Sequence, residues 1–422
     1  MKKSHVLIGL IAVIVLAGGL TAIFLKTRKG QISGSSATDS PANHTVKLLS
    51  RPTRLALVKA EDKFGFIDIT GKYVINPQFE GGEVFMEELA PVKTGDKWGY
   101  VDNAGNFAIN PQFDQVMPFF GGIAQVQLGK RWGFIDKTGK YVINPQFENA
   151  APFLTEIATV ELGTKWGYID KAGRYVINPQ FDDAWPFLLG NTLTGAKVGN
   201  KWGYIDKTGK YVINLQFDEA EQFQNGRAAV KSGKSWGCIN EDGKYVVNPH
   251  FESISNCDGD RIVVQAGSEW GYVDGNGVSV IDPQFDEARS YAENIARVRV
   301  GSKWGFIDKS GKYVVNPQFE DTMPFFGNDL APAKKQGKWG YIDRTGKYVI
   351  PPQFDACSTF FEGLAAVRVS QKWGYIDRAG KYQINPQFDR AWLFFDGYAT
   401  TNKTTIYGRT PPSFDEVWRI SE

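Results

Sequence analysis

Lys201-Trp202-Gly203-Tyr204-Ile205-Asp206-Lys207-Thr208-Gly209-Lys210-Tyr211-Val212-Ile213-Asn214 is the clearest of ten near-copies of one phrase. Its Trp-Gly step recurs at Trp98, Trp132, Trp166, Trp202, Trp236, Trp270, Trp304, Trp339 and Trp373, with Phe64-Gly65 as a variant first copy. The usual interval is 34 residues. A fixed period of that size means units that stack or radiate, each covering its neighbour's apolar surface. Short runs of Val, Ile, Tyr and Trp, punctuated by Gly and Pro, make every copy all-β.

Within a copy the pattern predicts three strands, in the tenth at residues 364–369, 372–377 and 381–385. Pro386 should stop the third, because proline offers no amide hydrogen to a ladder. The turn at 206–210 has Asp where a type I turn begins and Gly where a left-handed residue closes a three-residue hairpin loop. That register sets Ile205 opposite Tyr211 and Tyr204 opposite Val212, with apolar side chains on both faces. Gly203 leaves a hole in one face, expected to receive an aromatic ring from the adjacent copy. A second aromatic follows Phe217 after six residues, at Phe223, and the offset recurs in every copy except the sixth, where Phe251 is followed by Cys257.

The phrase K-W-G-[YF]-[IV]-D-x-x-G-K-Y-V-[IV]-N-P-Q-F-[DE], covering residues 54–398, resembles the WG-repeat (KWG-repeat) family of bacterial proteins. The resemblance implies an extracytoplasmic or surface role in many members and no established catalytic activity. Departures are few: Phe64 for Trp, Cys238 for Tyr, Leu215 and Pro351 at the Asn-Pro step, and Val278-Ser279 for Lys-Tyr. The first copy has its own strand one at Leu55-Ala56-Leu57-Val58, and the tenth its own strand three at Tyr382-Gln383-Ile384-Asn385. Neither end lacks a strand, so an open curved solenoid of ten three-stranded repeats (51–398) is expected, with a closed propeller-like ring as the alternative. Residues 399–422 keep Pro412-Ser413-Phe414-Asp415 and read as a degenerate repeat capping the open edge.

Ahead of the array, a tail at 1–5 precedes an uncharged stretch at 6–25, long enough to cross a hydrocarbon core as one helix. A cleaved signal peptide ending near Ala17-Gly18-Gly19 is the rival reading. The Ser-, Gly- and Thr-containing segment at 26–50 reads as a flexible tether. The expected protein is single-pass, with the array outside the cytoplasm, or is secreted if the segment is cleaved.

The chain has 48 Lys and Arg against 46 Asp and Glu, but residues 1–29 hold five of the basic residues and no acid. The remainder is 43 against 46, which lacks the basic stripe that phosphate contacts need, so no nucleic-acid partner is expected. Of three histidines only His250 lies in the array, and no nucleophile–base arrangement or phosphate loop has motif support. Recurrent Asp residues read as turn caps. A lone turn aspartate such as Asp274 falls short of calcium's six to eight oxygens. No enzyme activity, cofactor or metal is expected.

Two features remain as candidate sites. The residue four positions after each Pro-Gln-Phe phenylalanine varies most between copies, and Met117, Trp185, Arg289, Met323 and Trp392 from that series are the candidate ligand-binding loop face. In the sixth copy Cys238 and Cys257 replace core aromatics and His250 replaces Gln. Buried thiols are the preferred reading there, ahead of a disulfide or a small metal or redox site with His250. The expected function is a non-enzymatic, membrane-anchored scaffold for a protein partner, acting as a monomer; the alternative is a module that binds a cell-envelope glycan such as peptidoglycan.

Overall fold

The computed structural model describes residues 54–394 apart from 256, 258, 293, 326–329 and 362. The expected span at 6–25, the tether at 26–50 and the cap at 399–422 lie outside the described residues. Within them the chain forms ten four-stranded antiparallel sheets and no helix, so none is long and apolar enough to cross a membrane. The sheets are numbered here in chain order. Sheet 5 shows the plan: an edge strand Asp183–Ala184, then strand one Thr194–Val198, strand two Lys201–Ile205 and strand three Tyr211–Phe217.

The edge strand is the element that three-strand counting misses. It is two residues long and is separated from the end of the preceding sheet's strand three by a single residue, as Phe217, Asp218 and Glu219 show. A segment that short carries no apolar alternation. Sheet 1, built from Ala56–Ala60, Lys63–Ile67 and Tyr73–Phe79, has no such strand before it, and Arg390–Ala391, following the tenth repeat, supplies it. Val58 pairs with Ala391 and Lys59 with Arg390, while the amides of Asp389 and Trp392 donate to the carbonyls of Lys59 and Leu57 at 2.8 and 3.1 Å. The array is therefore a closed ten-bladed propeller. The open solenoid is overturned because the ends do share a sheet, through a strand too short to read.

Strand three also runs through its proline. In sheet 5 Trp202 pairs with Phe217, Tyr204 with Ile213 and Ile205 with Tyr211. Two residues of strand two thus face four of strand three, a bulge that absorbs Asn214, Leu215 and Gln216 and needs no amide from the usual proline. The Ile205–Tyr211 pair agrees with the turn chemistry, whereas Tyr204 meets Ile213 and Val212 is left 49 % exposed. The turn itself forms as expected: Asp206 Oδ1 accepts from the amides of Thr208 and Lys210 and from the Thr208 hydroxyl, and Gly209 has φ +86°.

Gly203 is not filled by an aromatic ring. A Cβ there would lie 2.6 Å from the Ile213 carbonyl oxygen and 2.9 Å from the Leu215 nitrogen, so strand three's own backbone occupies the space. Tyr204 and Ile205, on opposite faces of strand two, are both fully buried, because adjacent sheets cover both. The covering residues recur. Tyr211 meets Phe181 of the preceding sheet edge-on at 6.3 Å, and Tyr73 meets Phe388 at 6.0 Å in the same way across the closure.

Ala391 is 1 % exposed in a cluster with Val58, Tyr375 and Phe388. Ala391→Asp would bury an unpaired carboxylate, at a cost of about 3 kcal/mol or more. Hydrogen exchange should then rise in residues 56–67 as well as around 391. Loss of protection confined to the neighbourhood of 391 would show that the ends are not joined.

Candidate functional site

The variable series does not form a loop face. In all ten repeats its amide donates to a strand-one carbonyl, as Trp185 does to Gly195 at 3.0 Å and Met323 to Pro332 at 2.9 Å, so it extends the edge strand. In six repeats its carbonyl also accepts from the strand-two tyrosine of the preceding sheet, for example Tyr168 to Trp185 at 2.7 Å and Tyr100 to Met117 at 2.8 Å. The main chain is fixed while the side chain varies.

The side chains are mostly absorbed in packing. Trp185 stacks on Trp202 at 5.9 Å with a 22° tilt, made possible by Gly195, where a Cβ would lie 2.7 Å from Trp185 Cδ1. Met323 is 8 % exposed. Arg289 is ion-paired to Glu287, which also takes Arg299 at 3.2 Å. Trp392 lies against Phe64 at 5.8 Å beside the closure, and Met117 is half-buried. These residues belong to five different sheets.

Cys238 and Cys257 form a disulfide, which corrects the preference for free thiols. Their positions explain it. In the other nine repeats the same two positions are a close aromatic pair between neighbouring sheets, such as Tyr204–Phe223 at 4.7 Å and Tyr272–Tyr291 at 5.0 Å. The disulfide thus links sheets 6 and 7 where rings elsewhere touch. His250 is not part of the cluster: it is exposed, lies 3.8 Å from the Phe251 ring centre, and its Nδ1 is 2.8 Å from the Asn248 carbonyl. It reproduces the bond that Gln216 makes to Asn214. Cys357 is buried, and that burial pushes its thiol pKa well up, leaving it little thiolate.

Sequence reasoning missed a recurrent charge clamp between sheets. Asp218, directly after Phe217, accepts from Lys201 Nζ at 2.7 Å and from the Gly233 amide of the next sheet at 2.8 Å. Asp114 does the same with Lys97 and Gly129, and Asp182 with Lys165 and Gly199. At the closure Asp389 takes Lys372 at 2.5 Å and the Glu61 amide at 2.9 Å. A lysine before the Gly step in seven of the ten repeats, with Arg131 in an eighth, and an acid after Phe in all ten, 17 residues apart in Lys201 and Asp218, were the available signal. The lysine hydrogen bond, then the backbone amide, holds the carboxyls of Asp114, Asp182 and Asp218 below their ordinary range. Turn hydroxyls do likewise for Asp136, Asp206, Asp308 and Asp343.

A regular surface open to a ligand is the outward row of strand three. Its fourth and sixth positions are exposed in every repeat, and its second in nine of ten. They carry mostly Val, Asn and Gln, as Val176, Asn178 and Gln180 do in sheet 4.

The family described as WG containing repeat matches ten times, at residues 64–98, 98–132, 132–166, 166–202, 202–234, 236–268, 270–304, 304–339, 339–373 and 373–403. The chain belongs to the WG-repeat family. No curated protein sequence matches it. Among solved structures, a eukaryotic initiation factor is similar at 10 % identity over 82 % of this chain and 98 % of that one, with a TM-score of 0.49. A dihydro-heme d1 dehydrogenase, NirN, is similar at 11 % identity over 82 % and 75 %, with a TM-score of 0.36. The Saccharomyces cerevisiae protein Sqt1 is similar at 10 % identity over 58 % and 89 %, with a TM-score of 0.31. Likeness at this level carries no argument about this WG-repeat protein's activity.

The clamps make acid stability a readout of the ring. Carboxyls whose folded-state pKa is depressed bind fewer protons folded than unfolded, so their contribution is complete above the unfolded value, about 4, and is lost as pH falls through the folded value. Thermal unfolding should show a midpoint that is flat near neutrality and falls progressively below about pH 4. A midpoint unchanged down to pH 2 would contradict the clamps.

Proposed function

We propose that this WG-repeat protein is an extracytoplasmic binding platform with no chemistry of its own, tethered to a membrane by residues 6–25 and presenting its ring to a partner in the cell envelope. The observation that carries the placement is the Cys238–Cys257 disulfide. Structural disulfides persist where the surroundings are oxidising and are rare in a reducing cytosol. The platform reading rests on the use of the acidic groups. The recurrent carboxylates are engaged in turns and clamps, and the recurrent aromatics in packing between sheets.

The partner expected from the sequence was a protein held through Met117, Trp185, Arg289, Met323 and Trp392. Those side chains are largely committed to the ring itself, and the exposed row of strand three offers a regular surface for recognition.

Thiol trapping in cells tests the placement. After rapid acid quenching, Cys238 and Cys257 should react with a maleimide only after reduction, and protease added outside the cytoplasmic membrane should digest the ring. Two freely reactive thiols in a ring that resists such protease would refute the reading.

A further inference from the structure

The ten repeats are a comparison built into one chain: exposed positions free to drift should differ between copies. Several do. The edge-strand residue that opens each sheet, where it is exposed, reads Gln115, Glu219 and Arg390. The two-residue turns between strands one and two vary as well, from Glu61-Asp62 to Gly199-Asn200 to Gln336-Gly337.

Strand three's exposed row behaves differently. Its fourth position is Asn in eight repeats, its sixth is Gln in nine, and its second is Val in eight. Core packing does not explain this, because all three point away from the core. Gln has a partial structural reason, since its amide nitrogen reaches the carbonyl two residues before it in several repeats, as Gln146 does to Asn144 at 3.3 Å. Asn has none. Among the described residues, the carboxamides of Asn76, Asn110, Asn144, Asn178, Asn214, Asn248, Asn316 and Asn385 make no hydrogen bond.

We infer that the strand-three rows of the ring are a binding surface for a neutral, hydroxyl-rich polymer, that is, an uncharged glycan, read by the same Val-Asn-Gln set sheet after sheet. Three properties fit that occupant. A carboxamide both donates and accepts, as a sugar hydroxyl does. The row carries no charge apart from Asp282, and His250 if protonated, which suits an uncharged ligand and gives an acidic polymer little to hold. Sameness around the ring suits a ligand that repeats, whereas a folded protein would meet different sheets with different surfaces. Each contact is weak, and successive units of one chain add through effective concentration.

The inference rests on the platform reading and is tested separately from it. Full-length protein in mild detergent is titrated with dextran, amylose, a soluble β-glucan and galactomannan, with alginate and heparin as acidic comparators. At least one neutral polysaccharide should bind, with an affinity that changes less than about twofold between 50 and 500 mM salt, since no ion pairs are made. The triple variant Asn144→Ala, Asn178→Ala, Asn214→Ala should keep its thermal midpoint and bind at least tenfold more weakly. Hydroxyl-radical footprinting of the unaltered protein gives a second readout that does not depend on the variant folding: the polysaccharide should protect Val142, Val176 and Val212. Absence of neutral binding, binding only to the acidic polymers, undiminished binding by the folded triple variant, or unprotected valines would each overturn the inference. A disulfide-bonded, protease-accessible ring that binds none of the neutral polymers would overturn this inference alone and leave the platform standing.

Discussion

The close approach of strand three to the glycine of each Trp-Gly step is the constraint on which the ring depends. These ten glycines have ordinary negative φ, so what they provide is space and not unusual backbone freedom. At Gly203 the Ile213 carbonyl and the backbone of Asn214 and Leu215 fill the volume a side chain would need. That space lets strand three put four residues against two and end beside Trp202. After one connecting residue the chain is already in the edge strand of the next sheet.

So short a connection makes the sheets interdependent. In six repeats the connecting Asp or Glu takes a lysine of its own sheet on one side and an amide of the next on the other. The strand-two ring and the ring six residues after Phe meet across the same junction, and in sheets 6 and 7 a disulfide takes their place. No sheet owns all four of its strands as a separate hairpin unit. Each borrows its edge from the passage out of the one before, and ring closure is the same borrowing carried out between chain ends.

Local chemistry was the legible part of this fold. The hairpin at 206–210 and the Ile205–Tyr211 pair follow from Asp and Gly in a three-residue loop, and the six-residue aromatic offset marks the rings that touch between sheets. Legibility ended where backbone met backbone. Pro-Gln-Phe reads as a stop to strand three, yet a bulge excuses the missing amide. The two-residue edge strand is below the length at which alternation exists, so closure was invisible. Met117, Trp185, Arg289, Met323 and Trp392 look like loop residues for the same reason. The Cys238–Cys257 bond crosses sheets, which spacing alone does not reveal, although both cysteines standing at paired aromatic positions was a usable hint.

The most direct measurement is the stability of Gly203→Ala in the full-length protein. A methyl at 203 is compatible with the backbone angles of the strand, so any large effect must come from the space it takes. Equilibrium unfolding should show a loss of roughly 3 kcal/mol, with exchange rising first at 213–217, where strand three must move away. A variant as stable as the parent, with strand three still protected, would contradict the claim that the Trp-Gly step exists to let the backbone through.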